Sequence, residues 1–520
     1  MKFLSSLKRS ADYWICHHRF TADRLCAVFV GVALIVSMAL PAHSQDLGAV
    51  PVHPELSGFR YGISVTDLDG NVLVAHKADE RFMPASNAKL FVTAAALAAE
   101  SELSDLDSGL RVLLEIRDDG PPNIVLEGRG DPTIGFGADC EVRCIETLAA
   151  EVVKAGFTEV GDIIGDDQWF ADQRRPLGWS WDDLKFGHGT SISSLAINDN
   201  VLPLRVTPSD NVETPVHVRW LDTGQSYFDV HNEATTSEED LPVALRLERR
   251  VGERNARLYG ELPRGSRSLT IDLGVDDPAH LAAWYFKRAL EAEGVFVSGE
   301  VRAQHRPLQY ADEPQPVSPD DASAPLRCGR APVAVATRTI VASLPPTPIQ
   351  EIVTEINRES QNLYAEMMLR QLGRINGRGS SFCGLLEIQD FLETVGITRE
   401  FYDLADGSGL SNYNRATPAT ITSLLRYAAA TDWGEAFKAS LPVSGGSAGT
   451  LRYRFRGSEL EGKVFAKTGT LNHVDALSGY MQARSGRTLA FSIIVNDRPL
   501  EAPSARDQID SMLLSIYEQY

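Results

Sequence analysis

Three short stretches carry residue types that together could run acyl transfer. The first is Ser86-Asn87-Ala88-Lys89. A serine hydroxyl is a poor nucleophile until a base takes its proton. Residues three apart share a helix face, so the Ser86 hydroxyl and the Lys89 amine can meet. Lysine can act as that base only when burial or a neighbouring cation lowers its pKa. The Ala-rich run to Ala99 supplies burial, and a helix N-terminus favours negative charge developing on Ser86. The second stretch is Ser360-Gln361-Asn362, at a helix-to-helix junction. Its hydroxyl can relay a proton to a leaving amine, and its amide can hold a substrate carbonyl. The third is Lys467-Thr468-Gly469-Thr470, on a strand. Alternation puts Thr468 and Thr470 on one side, where two hydroxyls can bind a carboxylate. Lys467 offers a cation that can lower the pKa of Lys89 and polarise Ser360. Gly469 lets backbone approach a ligand closely. The backbone N–H groups of Ser86 and Thr470 can form an oxyanion hole. Taken singly, each stretch also reads as ordinary structure: a capping serine with a solvated lysine, a turn, an edge strand.

The set is stronger than its members. Ser-x-x-Lys, Ser-x-Asn and Lys-Thr-Gly in this order are the signature of penicillin-recognising serine enzymes. The sequence resembles that superfamily. It looks most like the class C low-molecular-mass penicillin-binding proteins, the D-alanyl-D-alanine carboxypeptidase/endopeptidase family that includes penicillin-binding protein 4. Ser86 and Ser360 lie 274 residues apart, and Ser360 and Lys467 lie 107 apart. In that family the first gap holds domains inserted into the transpeptidase fold. Gly130-Asp131-Pro132-Thr133, Asp406-Gly407-Ser408-Gly409-Leu410-Ser411 and Gly449-Thr450-Leu451-Arg452 are similar as well. The likeness runs from about 58 to 500 and is weakest between 200 and 265.

The resemblance implies a mixed α/β fold of the transpeptidase/serine β-lactamase type, an antiparallel sheet flanked by helices with smaller β-rich domains inserted. It implies catalytic roles for Ser86, Lys89, Ser360, Asn362 and Lys467, and substrate binding by Thr468, Gly469 and Thr470. Asp166, in Gly165-Asp166-Asp167, fits the acid that the family places near the substrate stem. Many members have Arg directly after Gly-Leu-Ser; here Asn412 stands there, with Arg415 three residues on. The implied substrates are peptidoglycan stem peptides, with β-lactams as covalent inhibitors and no metal or organic cofactor. A β-lactamase or esterase on the same fold and a catalytically silent wall-binding protein are the rival readings. Homo-oligomer formation stays open.

The elements that must position these residues are legible in outline. Tyr61–Thr66 and Val72–Val74 read as strands joined by the turn Asp69-Gly70. Residues 110–128 have strand character, and 145–155 are helical. Short β-like runs fall at 216–220, 227–230, 244–247 and 269–273. Asp277 can cap a helix that starts at Pro278 and ends at Gly294. His305–Pro325, with five prolines, reads as an extended, mobile connection. Residues 349–373 are helical with a break near Ser360. Residues 462–471, 480–483 and 489–495 read as strands. The last helix, about 504–518, shows one apolar face of Ile509, Met512, Leu513, Ile516 and Tyr517. The expected domains are 48–112 with 335–520 for the peptidase, 113–200 with 263–334 for a second, and 201–262 for a third.

The chain has 520 residues and a net charge of −20, which argues against a basic surface for nucleic acid. Residues 1–44 carry five basic groups, then an apolar run Cys26–Leu40 and Pro41-Ala42-His43-Ser44. That is the pattern of a secretory signal cut after Ser44, with an uncleaved anchor as the alternative. The cut leaves 45 basic and 68 acidic side chains, net −23, and an exported, periplasmic protein. Cys140, Cys144, Cys328 and Cys383 remain, enough for two disulfides whose pairing stays open. His473, near the third motif, reads as a solvated surface residue.

Overall fold

The sheet that frames the motifs draws strands from both ends of the chain. The computed structural model describes residues 58–137, 140–221, 227–317, 324–329, 338–499 and 501–520. These lie within one unit, Asp46–Tyr520; the expected secretory signal lies outside the described residues. Five strands run in the order Val72–His76, Arg60–Asp67, Thr488–Asn496, Val474–Gln482, Val464–Leu471. Every neighbouring pair is antiparallel. Alternation sends Phe491, Ile493 and Val495 to one face and Ala490 and Ile494 to the other. The first face packs on the C-terminal helix Arg506–Gln519, whose five expected apolar residues are all buried. The second packs on a helical layer that includes Lys89–Ala98, Ile349–Arg358, Asn362–Ile375 and Pro418–Ala429. Apart from Lys89 and Thr93, the helix Lys89–Ala98 is apolar all round, and it is buried from Lys89 to Leu97, as a core helix must be.

A second five-stranded sheet has the order Val301–Gln304, Ile163–Asp166, Asn123–Glu127, Leu110–Glu115, Thr339–Leu344. Ile163–Asp166 is parallel to both of its neighbours, and the other pairs are antiparallel. The helix Pro278–Ala292 covers it, and Asp277 caps that helix by accepting from the His280 N–H at 3.1 Å. Two three-stranded sheets follow. One joins Leu269–Gly274, Val201–Thr207 and His217–Trp220, and the other Arg246–Arg249, Asn255–Tyr259 and Asp229–Asn232.

Pairing partners move two strands across the expected boundaries. Thr339–Leu344 hydrogen-bonds to Leu110–Glu115 in the second sheet, although it follows residue 335. Leu269–Gly274 pairs with Val201–Thr207, across the boundary at 263. Strand character is local in sequence, whereas the choice of partner is not. The segment after Gln304 is also tied down where it is described. His305 Nδ1 bonds Asp167 at 2.9 Å and its Nε2 meets Asp277 at 3.3 Å. Buried Arg306 donates to buried Asp312 at 2.6 Å. Charge pairing fixes residues 305–312, the start of a stretch that composition alone reads as loose; residues 318–323 of it lie outside the described residues.

Candidate active site

The first motif sits on a tight turn ahead of its helix. Ala85–Ala88 is 3-10 and the α-helix begins at Lys89. Ala85 adopts φ 48° and Ser360 φ 65°, so both hydroxyl-bearing turns hold backbone in the sparsely populated left-handed region. Neighbouring chain fixes the first turn. A Cβ on Gly469 would lie 2.8 Å from the Pro84 carbonyl, and one on Gly409 1.9 Å from the Ala85 carbonyl. Gly469 therefore serves close packing of the strand on this turn, where the sequence suggested close approach to a ligand. Asn87, fully buried, donates to Ser478 Oγ at 2.8 Å and ties the turn to the sheet.

Lys89 is wholly buried. Its Nζ lies 3.0 Å from Ser86 Oγ, 2.6 Å from Asn362 Oδ1 and 2.5 Å from the Ser408 carbonyl. A neutral amine has two N–H groups and one lone pair. Asn362 Oδ1 and the Ser408 carbonyl can only accept, so they take both N–H groups. The lone pair is left for the Ser86 hydroxyl, the one neighbour that can donate. Burial pulls the Lys89 pKa down to about 7, while Asp406 and Glu366 pull it up. Glu366 accepts from the Gly407 and Ser408 N–H groups at 2.9 Å each and pairs with buried Arg370 at 3.1 Å. Asp406 accepts from the Gly409 N–H and from the indole of Trp179 at 2.9 Å. The two acids thus shape the loop whose Ser408 carbonyl orients the amine.

Lys467 is buried too, and its Nζ donates to Ser360 Oγ at 2.8 Å. Burial lowers its pKa first and the nearby Lys89 lowers it further. Burial is thus the leading cause for Lys89, as its Ala-rich helix implies, whereas Lys467, expected as a cation acting on Lys89, is itself a depressed, desolvated amine. Asn362 also donates to the His188 carbonyl at 2.9 Å, so its amide bridges Lys89 and the facing wall.

Ser86, Ser360, Thr450, Thr468, Thr470 and Arg506 line one cleft of about 540 Å³. The Ala466 N–H points outward to the Pro442 carbonyl at 3.1 Å. Alternation then turns the Thr468 and Thr470 N–H groups to the same outer edge. Thr468 Oγ1 donates to Thr450 Oγ1 at 2.8 Å, and Arg506 Nη2 donates to Thr470 Oγ1 at 3.2 Å. Thr450 and Arg506 were not singled out by spacing. Thr450 lies in one of the similar stretches, whereas Arg506 is brought in only by the C-terminal helix. A second cleft, about 590 Å³, opens on the other side of Ser360 against His188, Asp199 and Asp272.

Asp166 does not join either cleft. It is buried at the end of its strand, where Arg338 Nη1 donates to it at 2.8 Å. Asn412 bonds the Gly178 carbonyl through its N–H at 3.1 Å, and Arg415 donates to the Asn412 carbonyl at 2.8 Å. His473 is exposed, with Nδ1 2.9 Å from the Arg498 carbonyl. Among the described residues, no three His, Cys, Asp or Glu side chains converge as metal ligands.

A buried lysine against a serine, a second serine against a second lysine, and a threonine-lined edge strand define a lysine-assisted serine acyl-transfer enzyme. The sequence profile of the D-Ala-D-Ala carboxypeptidase 3 (S13) family matches residues 43–328 and 322–516. A D-alanyl-D-alanine carboxypeptidase of Actinomadura sp. (strain R39) is 33% identical over 489 residues, 91% of this chain and 84% of the relative. The D-alanyl-D-alanine carboxypeptidase DacB of Haemophilus influenzae is 25% identical over 478 residues, 89% of this chain and 91% of the relative. The crystal structure of penicillin binding protein 4 from Haemophilus influenzae superposes with a TM-score of 0.72 at 22% identity, covering 89% and 96% of the two chains. The chain belongs to the D-Ala-D-Ala carboxypeptidase 3 (S13) family, and it is a serine peptidase with the penicillin-recognising fold.

Proposed function

We propose that the protein removes or cross-cleaves D-alanine in peptidoglycan stem peptides through a Ser86 acyl-enzyme. The observation that carries this reading is the Lys89 amine, buried and 3.0 Å from Ser86 Oγ with both N–H groups engaged elsewhere. Ser86 Oγ attacks the carbonyl carbon of the penultimate D-Ala, and its proton passes to Lys89 Nζ. The oxyanion is held by the N–H groups of Ser86 and Thr470. The C–N bond then breaks. The departing amine takes a proton from Ser360, which is resupplied across its 2.8 Å contact with Lys467 by the proton that Lys89 accepted, so both amines return to their starting state. Water attacks the ester, releases the shortened peptide and returns Ser86 to its hydroxyl form. Thr468 and Thr470 receive the terminal carboxylate, with the Arg506 guanidinium beside them adding charge. Asn362 orients Lys89 through Oδ1 and holds the peptide backbone through its amide. β-Lactams acylate the same oxygen, because their ring carbonyl takes the place of the D-Ala carbonyl.

The protein works outside the cytoplasm, in the periplasm, behind a cleaved leader. The disulfides Cys140–Cys144 and Cys328–Cys383 suit an oxidising compartment. Digestion of purified sacculi followed by mass analysis tests the function. The expected products are free D-Ala and stem peptides shortened by one residue, with cross-linked dimers split to monomers. Unchanged muropeptides, together with rapid turnover of a chromogenic cephalosporin, would make it a β-lactamase instead.

A further inference from the structure

Along one wall of the cleft and continuing out of it, residues 449–463 run as successive turns held down by their own apolar residues. Leu451 and Leu460 are fully buried and Phe455 nearly so, all in the cluster beneath the C-terminal helix. Arg454 is pinned by Asp510 on that helix. Between these anchors Arg452, Tyr453 and Arg456 face outward, and Tyr453 is 71% exposed. The guanidinium carbons of Arg452 and Arg456 lie 4.9 and 5.0 Å from the Tyr453 ring centroid. Arg456 Nε donates to the Arg452 carbonyl at 2.7 Å, fixing the trio. Unlike Arg454, neither Arg452 nor Arg456 forms an ion pair among the described residues. Two unneutralised guanidinium groups around one exposed ring stand out in a chain of net charge −20. Arg452 and Tyr453 line the same cleft as Ser86 and Thr468, so a ligand leaving the cleft on this side passes over them.

We propose that Arg452, Tyr453 and Arg456 form a docking surface for the anionic glycan-peptide polymer flanking the scissile bond. The inference rests on the peptidoglycan reading above. A flat aromatic face suits the C–H face of a sugar ring, and guanidinium forks suit carboxylates. The buried anchors hold the surface ready, so little ordering is needed on binding. Continuity with the cleft selects the substrate polymer over an unrelated polyanion, because the occupant must connect to whatever Ser86 attacks.

The test uses the full chain carrying Tyr453→Ala or Arg456→Gln, with thermal melting as the control for folding. Losing one such contact should weaken co-sedimentation with purified sacculi and raise KM on sacculi about five- to tenfold. In Arg456→Gln, whose side chain lies outside the cleft lining, acylation by penicillin and hydrolysis of a short acyl-D-Ala-D-Ala peptide should stay at the wild-type rate. Wild-type affinity of both variants for sacculi overturns the proposal. So does an equal loss on the short peptide, which would mean a damaged cleft. Equal weakening of binding to heparin, a polymer unrelated to the substrate, would overturn the choice of partner. Failure of the peptidoglycan reading looks different: the wild-type protein itself would then leave both short peptide and sacculi uncut.

Discussion

Acylation of the protein by a β-lactam should report the proton on Lys89. Burial holds that amine at about 7 against an ordinary 10.5. The difference makes the neutral form roughly three orders of magnitude more abundant at pH 7 than in a solvated lysine, equivalent to about 5 kcal/mol. The second-order rate constant for acylation should therefore rise about tenfold per pH unit below pH 7 and level off above it. Lys89→Met keeps the side-chain volume and removes the base, so acylation should fall by about a thousandfold or more. Stability carries the same proton. The folded value lies below the unfolded one, so between about 7 and 10.5 the unfolded chain holds a proton that the folded chain lacks. Wild-type stability should thus gain up to about 1.4 kcal/mol per pH unit across that window, a contribution absent below pH 7. Lys89→Met lacks this gain, and the difference curve from chemical denaturation at stepped pH reads it. Stopped-flow acylation that is flat from pH 5 to 9, inflects near 10, or survives in Lys89→Met would refute the reasoning.

Other outcomes follow from the same contacts. Asp166→Asn should weaken a buried ion pair with Arg338, lower stability by about 3 kcal/mol and leave kcat on a short peptide unchanged. A large kcat or KM change at equal fold would restore the substrate role that the sequence suggested. Arg506→Ala should raise KM for substrates ending in a free carboxylate about tenfold, and much less for the corresponding C-terminal amide. Equal effects on both would remove Arg506 from carboxylate binding. Trp179→Phe removes the indole bond to Asp406 and should lower stability by about 1 kcal/mol while slowing acylation, through the loop that carries the Ser408 carbonyl. Wild-type acylation at lowered stability would uncouple that loop from Lys89. Opening Cys328–Cys383, which spans 55 residues, with Cys328→Ser and Cys383→Ser should cost about 4 kcal/mol in denaturant titration. A loss near zero would count against a loop-closure role for the bond.

The motifs could be read from sequence because their chemistry is local. Three-residue spacing predicts the contact of Ser86 with Lys89, and two-residue alternation predicts that Thr468 and Thr470 share a side. The strands from both chain ends and the apolar face ending at Tyr517 follow from periodicity in the same way. What the sequence hid depends on partners far along the chain. Asp166 looked like a ligand for substrate until Arg338, 172 residues away, took its carboxylate. The loop from Asp406 and the helix carrying Glu366 set the electrostatics of Lys89, and no spacing rule links them to Ser86. His305 and Arg306 sit at the start of a stretch whose prolines suggest a loose tether, yet Asp167 and Asp277 hold His305, and Arg306 pairs with Asp312 within the stretch. Gly469 was read as room for a ligand, but the space it leaves is filled by the Pro84 carbonyl.

The most direct measurement is intact-mass analysis after incubation with benzylpenicillin, followed by peptide mapping of the adduct. One penicilloyl group is expected, on the peptide carrying Ser86, lost in Ser86→Ala and slowed in Lys89→Met. An unlabelled wild-type protein, or a label on any other residue, would contradict it.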